Sequence, residues 1–210
     1  MEDTIQEIHQ IGHRAFVGGN DQYWEQIGEL QYRFLIEHGL TPNDVFFDVA
    51  CGSLRGGTRF IGFLEPGHYF GIDRYIELII YGVANELGIE RYAEKKPRFV
   101  VSDSFEFHKL AVQPTFAIAQ SLFTHLTERD ILRCLSNLRQ VAGAGCRFFA
   151  TFHEAGGAFC NPPVSHSCDY FAYTRAQMEE LGLASGWMPR YLGEWKHPRE
   201  QKMIEYVAVS

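Results

Sequence analysis

The sequence predicts an α/β protein, a three-layer sandwich around a Rossmann-like, mostly parallel sheet of seven strands that closes with a C-terminal antiparallel hairpin. Strand-like apolar runs alternate with helical patterns, the order that builds parallel strands with helices on both faces. The run at 45–49 breaks at Cys51-Gly52 into a glycine-containing turn and then a helix, and in an open α/β sheet such a turn lies at the strand end where ligands bind. Twenty-five residues after Asp48 a second strand ends in Asp73, a carboxylate placed to accept from the two hydroxyls of a ribose. Strand, glycine turn, helix, strand and acid outline a site for a nucleoside cofactor.

The elements follow in order. Residues 1–20 end in a hinge-like stretch, Phe16-Val-Gly-Gly-Asn20. Asn20 or Asp21 caps a helix running to His38, with Ile27, Leu30, Phe34 and Leu35 on one side. Gly39 supplies its stop and Pro42 follows. A later helix has Thr127 as N-cap, Asp130 at its third position, and a Leu126–Ile131 hydrophobic staple. Ile131, Leu135, Leu138 and Val141 make its buried stripe, and Gly143 and Gly145 end it.

The turn selects among cofactors. A dinucleotide fingerprint needs glycine at 50, 52 and 55, where this chain has Ala50, Gly52 and Arg55, and no P-loop ending is present. The stretch from Asp48 through Ala50, Cys51 and Gly52 to Leu54 instead resembles motif I of the class I S-adenosylmethionine-dependent methyltransferases, Asp-x-Gly-x-Gly-x-Gly. Ala50 and Leu54 stand where the family has its first and third glycines. Residues 98–105 resemble the family's third strand and acidic turn, 116–126 its fourth strand and the segment after it, and 147–152 its fifth. Residues 187–195 and 203–209 resemble the closing hairpin, so the likeness covers roughly 20–209.

This resemblance implies S-adenosyl-L-methionine as cofactor and methyl transfer by in-line displacement. It implies a helical cap at 1–40 and a cofactor-binding domain at 41–210. Asp48 opens the motif, and the backbone of Ala50, Cys51 and Gly52 would pass beneath the methionine part, since small residues permit close approach. Asp73, with Arg74 beside it, would take the ribose; Asp103 would accept from the adenine amino group, and Ser104 or Phe105 would flank the ring. Arg55 is either a bidentate partner of the cofactor carboxylate or a salt-bridging surface residue. Gln120 and Ser121 follow the fourth strand, beside the expected methyl group.

Methyl transfer needs alignment first, and a base only if the acceptor must lose a proton. Of nine histidines, His125 after the fourth strand and His153 after the fifth are the candidate bases; His197 falls in the final hairpin turn. The alternative for each is plain packing. The segment from His153 to Asp169, with Cys160, His166 and Cys168, carries zinc-type residues at a spacing that matches no common ligand pattern, so no metal is expected. Residues 156–173 read as a loop over the acceptor, with Tyr170, Phe171 and Tyr173 as an aromatic wall or as core.

With 210 residues, 46% hydrophobic, the chain can bury a sizeable core. A net charge of −7 without a basic cluster argues against nucleic acid. Five cysteines without a CxxC pair suit reduced thiols, and no apolar run approaches the roughly 18 residues of a membrane span. A cytoplasmic enzyme, monomer or homodimer, acting on a small molecule such as a natural-product intermediate is expected. The runners-up are a non-methylating S-adenosylmethionine-binding protein or partner subunit of the same fold, and a nicotinamide-dependent oxidoreductase.

Overall fold

A computed structural model describes residues 2–18, 21–166 and 170–209. Asn20, one of the two expected helix caps, and Cys168 and Asp169 of the late Cys/His segment lie outside the described residues. Among the described residues, eight strands form one sheet: β1 (Phe46–Val49), β2 (Tyr69–Asp73), β3 (Arg98–Val101), β4 (Phe116–Ala119), β5 (Arg147–Glu154), β6 (Ala172–Tyr173), β7 (Trp187–Glu194) and β8 (Lys202–Ala208). Their order is β3-β2-β1-β4-β5-β8-β7, with β6 beside β5. The β2–β3, β1–β4 and β4–β5 pairs are parallel, while β8 runs antiparallel to both β5 and β7. The expected seven-strand path with its hairpin is therefore present, and β6 adds a short eighth strand. Because His153 and Glu154 pair with Ala172 and Tyr173, β5 extends past Phe152 and His153 belongs to the strand rather than following it.

The chain divides into two compact units, Met1–Asp44 with Ala50–Asp103, and Val45–Val49 with Ser104–Ser210. In the first unit, α1 (Glu2–Ile11) and α2 (His13–Phe16) precede α3 (Asp21–Glu37). Helix α3 buries Trp24, Ile27, Gln31, Phe34 and Leu35, while Leu30 is half-buried. It stops as the sequence predicts. Gly39 takes φ 95°, its N–H reaches Ile36 O at 3.0 Å, and the Leu40 N–H reaches Leu35 O at 2.9 Å, the paired bonds of a Schellman ending. The motif turn leads into α4 (Gly57–Phe63), and β2 leads into α5 (Ile76–Tyr81). Ile8 of α1 packs with Tyr75 and Leu78, joined by Phe16, Val17 and Tyr81.

In the second unit, α7 (Glu128–Val141; α6 is Ile89–Lys95 of the first unit) begins as expected, with Thr127 Oγ1 accepting from the Asp130 N–H at 3.3 Å. It buries Ile131, Cys134, Leu135 and Leu138; Val141 is only half-buried. Helix α8 (Arg175–Ala184) opens with a capping box between Thr174 and Gln177. It lies tightly on β8: a Cβ at Gly182 would stand 2.5 Å from Tyr206 Cε1, and Tyr206 is fully buried with its hydroxyl donating to Met178 O at 3.0 Å. Helix propensity favours alanine over glycine by about 1 kcal/mol, but forcing a methyl into this contact costs about 1–3 kcal/mol. Gly182→Ala should therefore lower the melting temperature, read by thermal circular dichroism.

Candidate cofactor site

The turn after β1 keeps a glycine-type backbone with only the middle of the three motif glycines, Gly52. Ala50, Gly52 and Leu54 have φ of 62°, 52° and 64°, the three positions of the motif glycines. The N–H groups of Ala50 and Cys51 both donate to Ile72 O, at 2.8 and 3.1 Å. The Gly52 N–H donates to Asp73 Oδ2 at 2.8 Å, and the Tyr75 N–H to Asp73 Oδ1 at 2.9 Å. Asp73 thus holds the turn against the end of β2. Burial pushes its carboxyl above the usual carboxylate range, against the pull of those backbone donors. Each carboxylate oxygen keeps a further lone pair, so hydroxyl donors can still be accepted.

Close approach explains the remaining glycines of this region. A Cβ at Gly52 would meet Val17 Cγ1 at 3.1 Å, one at Gly57 the Tyr69 hydroxyl at 2.6 Å, and one at Gly82 the Ser53 backbone at 2.7 Å. The segment after α2 therefore sits directly against the turn. Arg55 is buried rather than on the surface, and its Nη1 donates to Val17 O at 3.4 Å. The reason is local packing, because α3 closes over it with Gly28 against the Arg55 carbonyl. Arg74 is exposed, its guanidinium 4.9 Å from the Tyr75 ring centre. Among the described residues, Ser53 Oγ and His13 Nδ1 are buried without a hydrogen-bond partner. An orphan hydroxyl in the turn itself is the mark of a site that awaits a polar ligand or water, and with the small residues beside it suits the amino-acid end of a nucleoside cofactor. The sequence singled out neither atom.

Asp103 is exposed in the bend after β3. Ser104 and Phe105 are half-buried, and Asn137 of α7 donates to both their carbonyls, at 3.1 and 3.2 Å, which fixes this loop. Phe105 is held at φ 60° and stacks on Phe107 at 6.3 Å, which in turn stacks on Phe47 of β1 at 6.1 Å. Asp48 is buried within β1, opposite Ile118 of β4.

Gln120 and Ser121 stand at the end of β4 in contact with one another and with His197 and Gln201. His125 ends a short 3-10 turn and is half-buried; its carbonyl accepts from the His166 N–H at 3.1 Å. His153 stacks on Tyr170 at 4.4 Å, and burial, with the His125 and Arg199 charges nearby, pushes its imidazole down to about 4. It is therefore neutral and weakly basic at neutral pH. The aromatic wall is smaller than expected: Phe171 and Tyr173 are fully buried, Phe171 with its N–H bonded to Thr124 O and Tyr173 in β6 with its hydroxyl donating to Leu126 O. Tyr170 alone of the three is exposed.

Comparison with known proteins places this architecture. No protein-family model matches the chain, and no curated protein matches it. Solved structures do. The magnesium protoporphyrin IX methyltransferase of Synechocystis PCC 6803, crystallised with S-adenosylhomocysteine, matches with a TM-score of 0.66 at 16% identity, over 99% of this chain and 94% of that one. The fold is that of the S-adenosylmethionine-dependent methyltransferases. A glycopeptide N-methyltransferase complexed with S-adenosylhomocysteine matches at 0.67 and 13% identity, over 86% and 90% of the two chains. An S-adenosylmethionine-dependent methyltransferase from Clostridium acetobutylicum matches at 0.61 and 11%, over 100% and 99%. Within this methyltransferase fold, the left-handed turn at 50–54 is retained here on alanine and leucine.

That substitution has a measurable cost. A non-glycine residue in left-handed backbone costs about 1–3 kcal/mol, partly offset by the entropy glycine loses on folding. Ala50→Gly should stabilise the protein by up to about 1 kcal/mol in urea unfolding. Leu54→Gly should destabilise it, because Leu54 is fully buried and losing such a side chain costs about 2–5 kcal/mol.

The depressed imidazole gives a pH prediction. Between pH 6.5 and about 4, the unfolded chain protonates His153 while the folded chain does not. The stability that neutral His153 preserves is present above 6.5 and lost as pH falls towards 4. His153→Phe, which keeps a ring against Tyr170, should make the loss of stability across that window shallower, measured by urea melts at successive pH values.

Proposed function

We propose that this protein is an S-adenosylmethionine-dependent methyltransferase acting on a small-molecule acceptor. The observation that carries the reading is the turn at 50–54, whose left-handed backbone is tied through Gly52 to Asp73, a buried acid at the end of β2. When bound, S-adenosylmethionine supplies an electrophilic methyl group on a sulfonium. Ala50, Cys51 and Gly52 would hold the methionine part, with Ser53 Oγ and Arg55 as donors toward its amino-acid end. Asp73 and Arg74 would serve the ribose, Asp103, Ser104 and Phe105 the adenine, and Gln120 and Ser121 the end where the methyl is carried, with Asp48 opening the motif. His125 and His153 would stand on the acceptor side, with His153, neutral at working pH, suited to accept a hydrogen bond rather than to take a proton. The methyltransferases of like fold, whose names specify a porphyrin and a glycopeptide, support a small acceptor in kind. Among the described residues no helix is long and apolar enough to cross a membrane.

Calorimetric titration with S-adenosylhomocysteine tests this, with NADH as control. Micromolar binding of the first and none of the second is expected; no binding of S-adenosylhomocysteine overturns the reading. Asp73→Ala should weaken the affinity tenfold or more, about 1.4 kcal/mol. It should also lower stability by about 1–3 kcal/mol, since two buried N–H groups lose their acceptor. Unchanged affinity would remove Asp73 from the site.

A further inference from the structure

The connection from β7 to β8 bends back through two non-glycine residues in left-handed backbone, Lys196 (φ 66°) and Glu200 (φ 55°). Ser121, at the end of β4, is a third (φ 60°). Strained residues of this kind persist only where surrounding contacts over-determine them, and they gather at functional sites. Here the contacts are a side-chain network, buried at Thr151, His197 and Gln201 and half-buried at Gln120 and Ser121. The Ser121 N–H donates to Thr151 Oγ1 at 2.7 Å, the Thr151 hydroxyl to Gln201 Oε1 at 2.8 Å, and the Gln201 amide nitrogen to Ser121 Oγ at 2.8 Å. The Gln120 amide meets Ser121 Oγ at 2.5 Å and His197 Nε2 at 3.1 Å. His197 is 5% exposed, stacked on Trp195 at 5.2 Å, and Trp195 Nε1 donates to Gln201 O at 2.8 Å.

The tautomer of His197 gives this network a direction. Its Nδ1 accepts the Arg199 N–H at 3.2 Å, so the neutral ring carries its proton on Nε2. The amide atom 3.1 Å from His197 Nε2 is Gln120 Nε2; turning the amide over, which exchanges its nitrogen and oxygen, sets an acceptor opposite that ring N–H. In that orientation the oxygen also receives the Ser121 hydroxyl hydrogen, while Ser121 Oγ accepts from Gln201. The Gln120–His197, Gln120–Ser121 and Gln201–Ser121 contacts then each pair a donor with an acceptor. A ring present only for bulk would need none of this, and phenylalanine would stack on Trp195 as well.

We infer that His197 is a positioning residue that holds the Gln120 side chain in one amide orientation at the end of β4. The inference rests on the proposed role of Gln120 as a cofactor contact. The test is calorimetric titration of S-adenosylhomocysteine into the full chain for wild type, His197→Phe, His197→Gln, Gln120→Ala and the His197→Phe/Gln120→Ala double variant, with a thermal melt of each. His197→Phe should keep the fold and weaken binding about tenfold, and His197→Gln, which restores an N–H donor, should recover to within about threefold of wild type. In the Gln120→Ala background, His197→Phe should add no further loss, since coupled residues are not additive. Unchanged affinity in His197→Phe, a silent Gln120→Ala, multiplying losses in the double variant, or failure of His197→Gln to recover would each overturn the inference while wild-type binding stands. Failure of the wild-type chain to bind would overturn the cofactor reading and this inference together.

Discussion

The Asp73 carboxylate binds two backbone N–H groups, those of Gly52 and Tyr75. One lies in the turn after β1 and the other at the entry to α5, so a single side chain sets the separation of the two connections at this strand end. The Ile72 carbonyl, taking the N–H groups of Ala50 and Cys51, reinforces the same join from the backbone. Everything proposed for the cofactor depends on that join. It carries its own cost, because desolvation of a buried carboxylate opposes ionisation while the donors favour it.

Strain is distributed with the same logic. Among the described residues, eight that are not glycine have positive φ. Lys96 and Ala111 merely end helical turns. The other six, Ala50, Leu54, Phe105, Ser121, Lys196 and Glu200, lie in the connections that follow β1, β3, β4 and β7. The strands carry none of it. They are rich in Phe, Val, Ile and Ala, and one of their buried charged groups, Glu205 of β8, is matched by Arg147 at 2.5 Å and Arg190 at 3.7 Å. The scaffold is locally consistent and the loops are not, the division expected when function resides in the loops.

Much of this was legible in one dimension. The long helix ends where Gly39 says it should, because a Schellman ending needs a left-handed residue and glycine supplies it without cost. Thr127 and Asp130 form the cap their spacing implies. The β1 turn and Asp73 were found together because strand, small residues and acid are short-range signals. Less of the acceptor side was readable. Phe171 and Tyr173 have the composition of a pocket wall, yet both are buried at β6 and the residue before it, and a two-residue strand has no sequence pattern of its own. His197 looked like a turn residue because nothing nearby in sequence reveals that Gln120, 77 positions earlier, is its partner.

By itself the sequence determined the strand and helix alternation, the hairpin that ends it, and the chemical character of the cofactor turn. These are set by local propensity, hydrophobic period and capping, which act over a few residues. The tertiary structure alone decided that Ala50 and Leu54 could keep a glycine backbone, that Arg55 is buried, and that His153 is neutral. It also decided that Gln120, Ser121, Thr151, His197 and Gln201 close one network. Those outcomes depend on desolvation and on hydrogen bonds between residues far apart in the chain, and no local pattern encodes either.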